Sequence, residues 1–466
     1  MWTGRSPLTD HRACAGCLEK QLKIDRMEAE LERLRGKLRY QERTAKEGPF
    51  GPSTPSSKIP VKPSSLEERQ NRKGGARPGH PGRGRQVFTP AEADRVERVQ
   101  AADTCPDCGT ALALHALRRR PVVDVIPLRV EKQVFELERK RCPACQCRVD
   151  AKPPGVLPRF LYGNALLAHV AAQHYLYGQT LGSVARQMGL SFSSLLQAMH
   201  ALGRRLEPVI PKLVEEYRRA PVKHADETGW RTDGRNGYAW LFATTRLSLF
   251  RFRGSRAAAV AREVFGALRL VGILVVDRYH AYNKTRVKLQ YCFAHLLRDL
   301  KELARQFPGE NEIKRFVQTT APLLASAMKL RKEPLSKRQF RRQAHEIKAQ
   351  IVQTMNASAR HPAIQDFQRI FREKAERLYH WADDPVVPAD NNLAERDLRP
   401  LVIARKISFG SQSLAGAKTR ETLMSILHSL HKQFDNPAAR FKQALDKLAQ
   451  DPATDLYQTL FPENSS

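Results

Sequence analysis

Leu270-Val-Gly-Ile-Leu-Val-Val-Asp277 is an almost unbroken apolar run that ends on a carboxylate. Continuous rather than alternating hydrophobicity predicts a strand buried on both faces, as in a parallel sheet covered by helices. The residues that follow, Arg278, Tyr279, His280, Ala281 and Tyr282, are polar and aromatic, as expected where a core opens onto a site.

Upstream, Val222-Lys-His-Ala-Asp226, Tyr238 to Thr244 and Leu247 to Phe252 read as three strands, with Asp226 ending the first. Ser255 to Leu268 reads as a helix, Lys288 to Cys292 as a short strand, and His295 to Phe307 as another helix. Three strands, a helix and a buried strand in that order predict an α/β core of the ribonuclease-H-like kind over 218–309. A basic helical stretch over 310–388 then separates it from a last core segment, 389–412, and a helical C-terminal region, 413–466. A helix is expected from Asn391 to Arg399, ending before Pro400.

A lone Asp at a strand end is ordinarily a cap or turn former. Two of them at the carboxyl ends of neighbouring strands converge on one edge, where unpaired burial is costly and bound cations make the cluster favourable. A third acidic residue, Glu395, stands in Ala389-Asp-Asn-Asn-Leu-Ala-Glu-Arg-Asp-Leu-Arg399. Spacing leaves three readings open for it: a metal ligand, the partner of Asn392 in a capping box, or an i,i+4 pair with Arg399.

The remainder of the chain points to a polyanionic partner. There are 79 Lys and Arg against 48 Asp and Glu, a net charge of +31, which a small neutral substrate cannot balance and which nucleic acid can. No signal-like leader or membrane-length apolar run is present, so a cytoplasmic, nucleoid-associated protein is expected.

Residues 1–47 carry a helical leader in which Ile24, Met27, Leu31, Leu34 and Leu38 repeat in steps of three and four. Such a seam suits either a self-associating coiled coil or a helix folded back on its own chain. Residues 48–100, rich in Pro, Gly, Ser and Arg, read as a flexible basic linker, which either tracks phosphates or is a solvated tether.

Within 101–152, Cys105-Pro-Asp-Cys108 and Cys142-Pro-Ala-Cys145 flank β-rich sequence, Val122 to Pro127 and Gln133 to Leu137. Two Cys-x-x-Cys turns complete a tetrahedral four-thiolate Zn2+ site, with Cys147 an alternate to Cys145; four thiolates leave no open position, so the ion is structural. Cys14 and Cys17 form a pair without a second pair nearby. Over 153–217 the chain reads as helical, and Thr180 to Gln197 has a helix, a turn at Gly189 and a Ser-capped helix. That outline fits a DNA-reading helix-turn-helix or a plain helical hairpin.

His224-Ala-Asp226-Glu-Thr-Gly-Trp230, Val275-Val-Asp277-Arg-Tyr-His-Ala-Tyr-Asn283 and Asp390-Asn-Asn-Leu-Ala-Glu395-Arg-Asp-Leu-Arg399-Pro400 resemble the three signature blocks of the insertion-sequence-66 family of transposases. The four-cysteine segment, the leucine-periodic leader and Ile403 to Ser411 resemble other parts of that family. The resemblance implies a DDE triad of Asp226, Asp277 and Glu395 on a ribonuclease-H-like fold with a helical insertion, acting on double-stranded DNA.

The expected chemistry uses two Mg2+ or Mn2+ ions roughly 3.5–4 Å apart, held by hard carboxylate oxygens, to cut element ends and join them to target DNA. Arg278, Arg396, Arg399, Arg405 and Lys406 are expected to contact phosphates. His295 is a weaker candidate for a place near the metals, a structural histidine being the other reading. Synapsis of two ends implies a homo-oligomer, and the resemblance implies small accessory proteins. A ribonuclease-H-type nuclease, a non-catalytic zinc-containing DNA-binding regulator and a structural self-associating protein are the competing functions.

Overall fold

A computed structural model describes residues 15–47, 90–92, 96, 108, 110–111, 130–141, 143 and 148–462. The chain forms two compact units, one of residues 1–60 and 135–466, the other of residues 61–134. All the elements named here belong to the first.

In chain order the first unit contains α1 (Ala15–Glu47), β1 (Arg139–Arg141), β2 (Arg148–Asp150), α2 (Asn164–Ala171), a π-helical turn (Ala172–Leu176), α3 (Leu181–Gln187), α4 (Phe192–Leu206) and α5 (Val209–Arg219). The central sheet follows as β3 (Val222–Thr232), β4 (Arg235–Ala243), β5 (Ser248–Arg253), α6 (Ala258–Phe265), β6 (Ile273–Val276) and β7 (Lys288–Tyr291). Helices complete it: α7 (Phe293–Gln306), α8 (Asn311–Leu330), α9 (Lys337–Asn356), α10 (Pro362–Glu373), α11 (His380–Asp383), α12 (Asn392–Ser408), α13 (Leu414–Gln433), α14 (Pro437–Gln450) and α15 (Leu456–Leu460).

The sheet has the order β5-β4-β3-β6-β7, antiparallel on the β5 side and parallel from β3 to β7. This is a mixed α/β architecture compatible with the expected ribonuclease-H-like core. The apolar run before Asp277 supplies β6, whose Leu274, Val275 and Val276 are fully buried, as a strand between two parallel neighbours requires.

β3 does not stop at Asp226. It continues to Thr232 and turns through Asp233 and Gly234, both with positive φ (53° and 69°), into β4. Asp-Gly is the sequence signature of such a two-residue hairpin, and it overrides the expected strand end. Asp226 therefore sits in the interior of β3, at the level where its parallel neighbour β6 gives out.

At the other edge, β5 would expose a row of backbone donors. Helix α13 covers it with side chains four residues apart: Glu421, Ser425 and Ser429 accept from the backbone N–H of Phe252, Phe250 and Ser248 at 3.2, 2.9 and 3.0 Å. The edge is thus closed by a helix whose polar stripe faces inward.

Helices α8 to α11 occupy the expected insertion between the sheet and α12. Helix α12 does not end at Arg399 but runs through Pro400 to Ser408. An interior proline costs a helix about 3 kcal/mol, and burial of Leu398, Leu401 and Ala404 on one face offsets it.

The helix-turn-helix outline is present as α3 and α4 around Gly189 (φ 64°). Ser191 stands at the N-cap of α4 without a side-chain capping bond, its hydroxyl lying 3.0 Å from that of Ser193 instead. The leader is a single helix, α1, whose Ile24, Met27, Leu31, Leu34 and Leu38 are exposed. Arg33 of that helix pairs with Glu310 at 2.8 Å.

In the cysteine-rich segment β1 and β2 pair antiparallel, whereas Gln133 to Leu137 is not a strand and Val122 to Pro127 lies outside the described residues. Cys105, Cys142, Cys145 and Cys147 also lie outside them, as does Cys14. Cys108 is exposed, its Sγ 3.4 Å from Thr110 Oγ1.

Candidate active site at the edge of the parallel strands

β3 and β6 pair with Val222 opposite Ile273, Lys223 opposite Leu274 and His224 opposite Val275, a constant offset of 51. Asp226 and Asp277 differ by the same 51, so the register carries them side by side just beyond the last paired rung. Asp226 Oδ1 accepts from the backbone N–H of Glu227 at 2.8 Å, and Asp277 Oδ1 from that of Tyr279 at 2.9 Å. Burial, then the charges of Glu227, Asp277 and Glu395, hold the Asp226 carboxyl well above the usual carboxylate range. Mutual repulsion of this kind is what a bound cation relieves.

Glu395 arrives on the first turn of α12. The N-cap of that helix is Asn391 rather than Asn392, and it makes no side-chain capping bond, so Glu395 is not part of a capping box. Nor does Glu395 pair with Arg399: its Oε1 accepts from Arg298 Nη2 at 2.6 Å, with His295 Nδ1 3.9 Å away.

The start of α12 is fixed by Asn391, which is buried. Its Oδ1 lies 2.8 Å from His224 Nδ1, its Nδ2 donates to Ala225 O at 2.9 Å, and its backbone N–H reaches Cys292 Sγ at 3.1 Å. Thus β3, the end of β7 and α12 meet at Asn391, which stands four positions before Glu395 and whose partner His224 stands two before Asp226.

Among the described residues, the ligand-type atoms that all lie within 4.8 Å of one another are those of Cys292, His295 and Glu395, and not of the three acids together. Burial pushes the Cys292 thiol up to about 12, and burial with the charges of Arg298 and Arg278 pushes His295 down to about 3. Arg298 bonds both His295 Nε2 (3.2 Å) and Glu395. In this cluster Arg298 carries the hydrogen bonds to His295 and Glu395, while His295 Nδ1 is buried without a hydrogen-bond partner. Glu395 is thus near Asp226 electrostatically while its carboxylate rests on Arg298.

A second buried acid escapes a reading of the sequence. Glu227, 2% exposed, accepts from Arg256 Nε at 2.9 Å and from the Tyr282 hydroxyl at 2.6 Å. Arg256 stacks 3.8 Å from the centre of the Tyr279 ring, and the backbone N–H of Tyr279 is the donor to Asp277. One unit, Glu227 with Arg256 and Tyr279, therefore braces both aspartates. The signal that could reveal it is two adjacent acids in a strand: alternation sends their side chains to opposite faces, and a sheet covered on both faces buries each.

The basic residues divide in two. Arg396, Arg399 and Lys406 are exposed on α12. Arg278 is paired with Asp299, and Arg405 donates to Thr228 Oγ1 at 3.1 Å and to the Gly229 carbonyl.

A mixed five-stranded sheet with acidic residues converging at the end of its parallel strands, in a chain of net charge +31, defines a class of protein that works on nucleic acid. The chain belongs to the Transposase IS66 family, whose match spans residues 159–419 and so takes in all three acidic positions, the sheet and the insertion. It is also similar to two proteins of Sinorhizobium fredii (strain NBRC 101917 / NGR234). The uncharacterized protein y4qI is 26% identical over 445 residues, 86% of this chain and 81% of the relative. The uncharacterized protein y4jD is 23% identical over 422 residues, 81% of each. No helix among the described residues is long and apolar enough to cross a membrane.

Proposed function

We propose that this protein is a DDE-type transposase that hydrolyses phosphodiester bonds at the ends of an insertion element and transfers the freed strand into target DNA. The observation that carries the reading is the register of β3 on β6, which sets Asp226 beside Asp277. The fold assigned is ribonuclease-H-like, with α8 to α11 as the insertion that delivers Glu395.

Three carboxylates are a hard-oxygen donor set suited to Mg2+ or Mn2+. Asp226 and Asp277 would hold the ions, with Glu395 turning from Arg298 to complete the set. Bound there, the ions supply an activated water or 3′-hydroxyl and stabilise the leaving oxygen. The protein itself contributes orientation: Glu227 and Tyr279 fix the aspartate lone pairs, and Asn391 fixes the origin of α12. Exposed Arg396, Arg399 and Lys406 bind phosphates near the reacting bond. The four-cysteine module holds a structural Zn2+, and α1 associates with a second copy through its exposed apolar seam.

The test is incubation with labelled element ends and Mg2+ or Mn2+, scoring hydrolysis and joining separately. Asp226→Asn, Asp277→Asn and Glu395→Gln should each abolish both while leaving end binding intact. An Asp226→Asn protein that still joined strands would overturn the assignment. Hydrolysis without joining would favour a ribonuclease-H-type nuclease, and binding with neither a regulator.

A further inference from the structure

Between the helix-turn-helix pair and the α12–α13 junction lies a cavity of about 390 Å³, whose lining includes Phe192, Leu196, Ile407, Gln179, Ser413 and Arg420. Arg420 is 6% exposed. Its guanidinium stands 5.4 Å from the centres of both the Tyr175 and Trp230 rings, and its Nη2 donates to His174 Nε2 at 3.0 Å. His174 gives its own Nδ1 proton to the Gln179 carbonyl at 2.7 Å, so it meets Arg420 as a neutral acceptor. No carboxylate among the described residues pairs with Arg420. A buried cation without a counter-charge is strongly disfavoured unless an anion completes it.

Three further features point to a ligand. Gln179, one of the lining residues, has its Oε1 buried without a hydrogen-bond partner. The lining begins in the π-helical turn carrying His174 and Tyr175, a distortion that recurs at functional sites. Ser413 is the N-cap of the twenty-residue helix α13, whose amino end adds positive potential to the cavity.

We infer that this cavity is a nucleotide subsite, separate from the three acids: Arg420 and the start of α13 take a phosphate, the base lies on Phe192 and Ile407, and Gln179 accepts an N–H from it. A lining that combines apolar side chains with a cation lacking a counter-charge and an unpaired acceptor matches a nucleotide better than a bare anion or a hydrocarbon. That the nucleotide belongs to a DNA strand rests on the proposed function, whereas the occupancy of the cavity does not.

The experiment uses the full chain carrying Asp226→Asn in chelator-free buffer without added Mg2+ or Mn2+, so that no cutting occurs and the structural Zn2+ stays in place. Deoxyadenosine monophosphate, deoxyadenosine and inorganic phosphate are each titrated by calorimetry. The monophosphate should bind at one saturable site, more tightly than either fragment. Arg420→Met should weaken it roughly tenfold or more, as expected when a charge-assisted hydrogen bond is removed. Phe192→Ala, at a half-exposed position that folding tolerates, should weaken the monophosphate and leave phosphate unchanged.

A single-stranded oligonucleotide should displace the monophosphate; failure to do so would detach the site from DNA. No saturable binding, equal binding by Arg420→Met, an unaffected Phe192→Ala protein, or phosphate binding as tightly as the monophosphate would each overturn the assignment. Strand-transfer failure of the wild type would retire the proposed function and leave this result standing.

Discussion

Asn391 and His224 lie 167 positions apart in sequence and meet at 2.8 Å, Oδ1 to Nδ1, fully inside the protein. The hydrogen bond ties the helix bearing Glu395 to the strand bearing Asp226. Asn391→Ala would leave the His224 N–H and the Ala225 carbonyl without partners, at about 1–3 kcal/mol each. Urea denaturation should register that loss, and strand transfer should fall further than DNA affinity. Equal stability of the variant would show that the tie carries no energy.

Arg298 holds the Glu395 carboxylate. Its replacement by Ala removes a positive charge from the acidic edge, so Mn2+ affinity should rise, read by calorimetry, while strand transfer falls because Glu395 no longer starts from a fixed position before it turns to the ions. If both quantities stay at the wild-type level, the pair is incidental.

Glu227 is almost fully buried and pairs with Arg256, which is 20% exposed. Breaking such a pair on one side costs about 3–5 kcal/mol, whereas replacing both partners by apolar groups is often close to neutral. Glu227→Gln should therefore be markedly less stable than the wild type, and Glu227→Leu with Arg256→Met should recover much of the loss. The double variant should still transfer strands poorly, since nothing braces Tyr279 beneath Asp277.

Burial holds His428 and, with help from Arg420, His174 down at about 4. The folded values lie below the unfolded one near 6.5, so both histidines favour the folded state above that pH. Their contribution fades as pH drops from about 6.5 to about 4, at about 1.4 kcal/mol per pH unit for each group. Denaturation midpoints measured from pH 7.5 to 4.5 should show this loss, and His428→Gln should flatten part of it.

Among the basic residues on and beside α12, only the exposed ones should set the salt dependence of DNA affinity. Combined Arg396→Ala, Arg399→Ala and Lys406→Ala should lower the salt dependence of DNA affinity by about 0.9 for each phosphate the protein no longer neutralises. Arg405→Ala should instead lower stability and leave the salt slope unchanged, because its guanidinium is spent on Thr228 and Gly229.

The sheet is legible in the sequence where one physical requirement dominates. A strand between two parallel neighbours must be apolar throughout, and the run before Asp277 is. Even the offset of 51 between the two aspartates is visible as a number, although its meaning as a strand register is not. The length of β3 is harder to read, because a carboxylate after four strand-like residues resembles a strand end and hides the hairpin signal of Asp233-Gly234 further on. The extent of α12 is hidden because Pro400 is a breaker that burial overrides. The partners of Glu395, Glu227 and Arg420 are out of reach for a different reason: each pairing joins elements distant in sequence, and charge alone does not name its neutraliser.

The order in which the polypeptide is made gives the long excursion through α8 to α11 a further meaning. All five strands and both aspartates leave the ribosome before a single residue of α12 exists. A nascent or truncated chain that stops before α12 carries those strands, yet it has no Glu395 and no Asn391 to seat it. On the proposed function, competence to cut DNA arises only late in synthesis, once the polypeptide has reached the far side of its own detour.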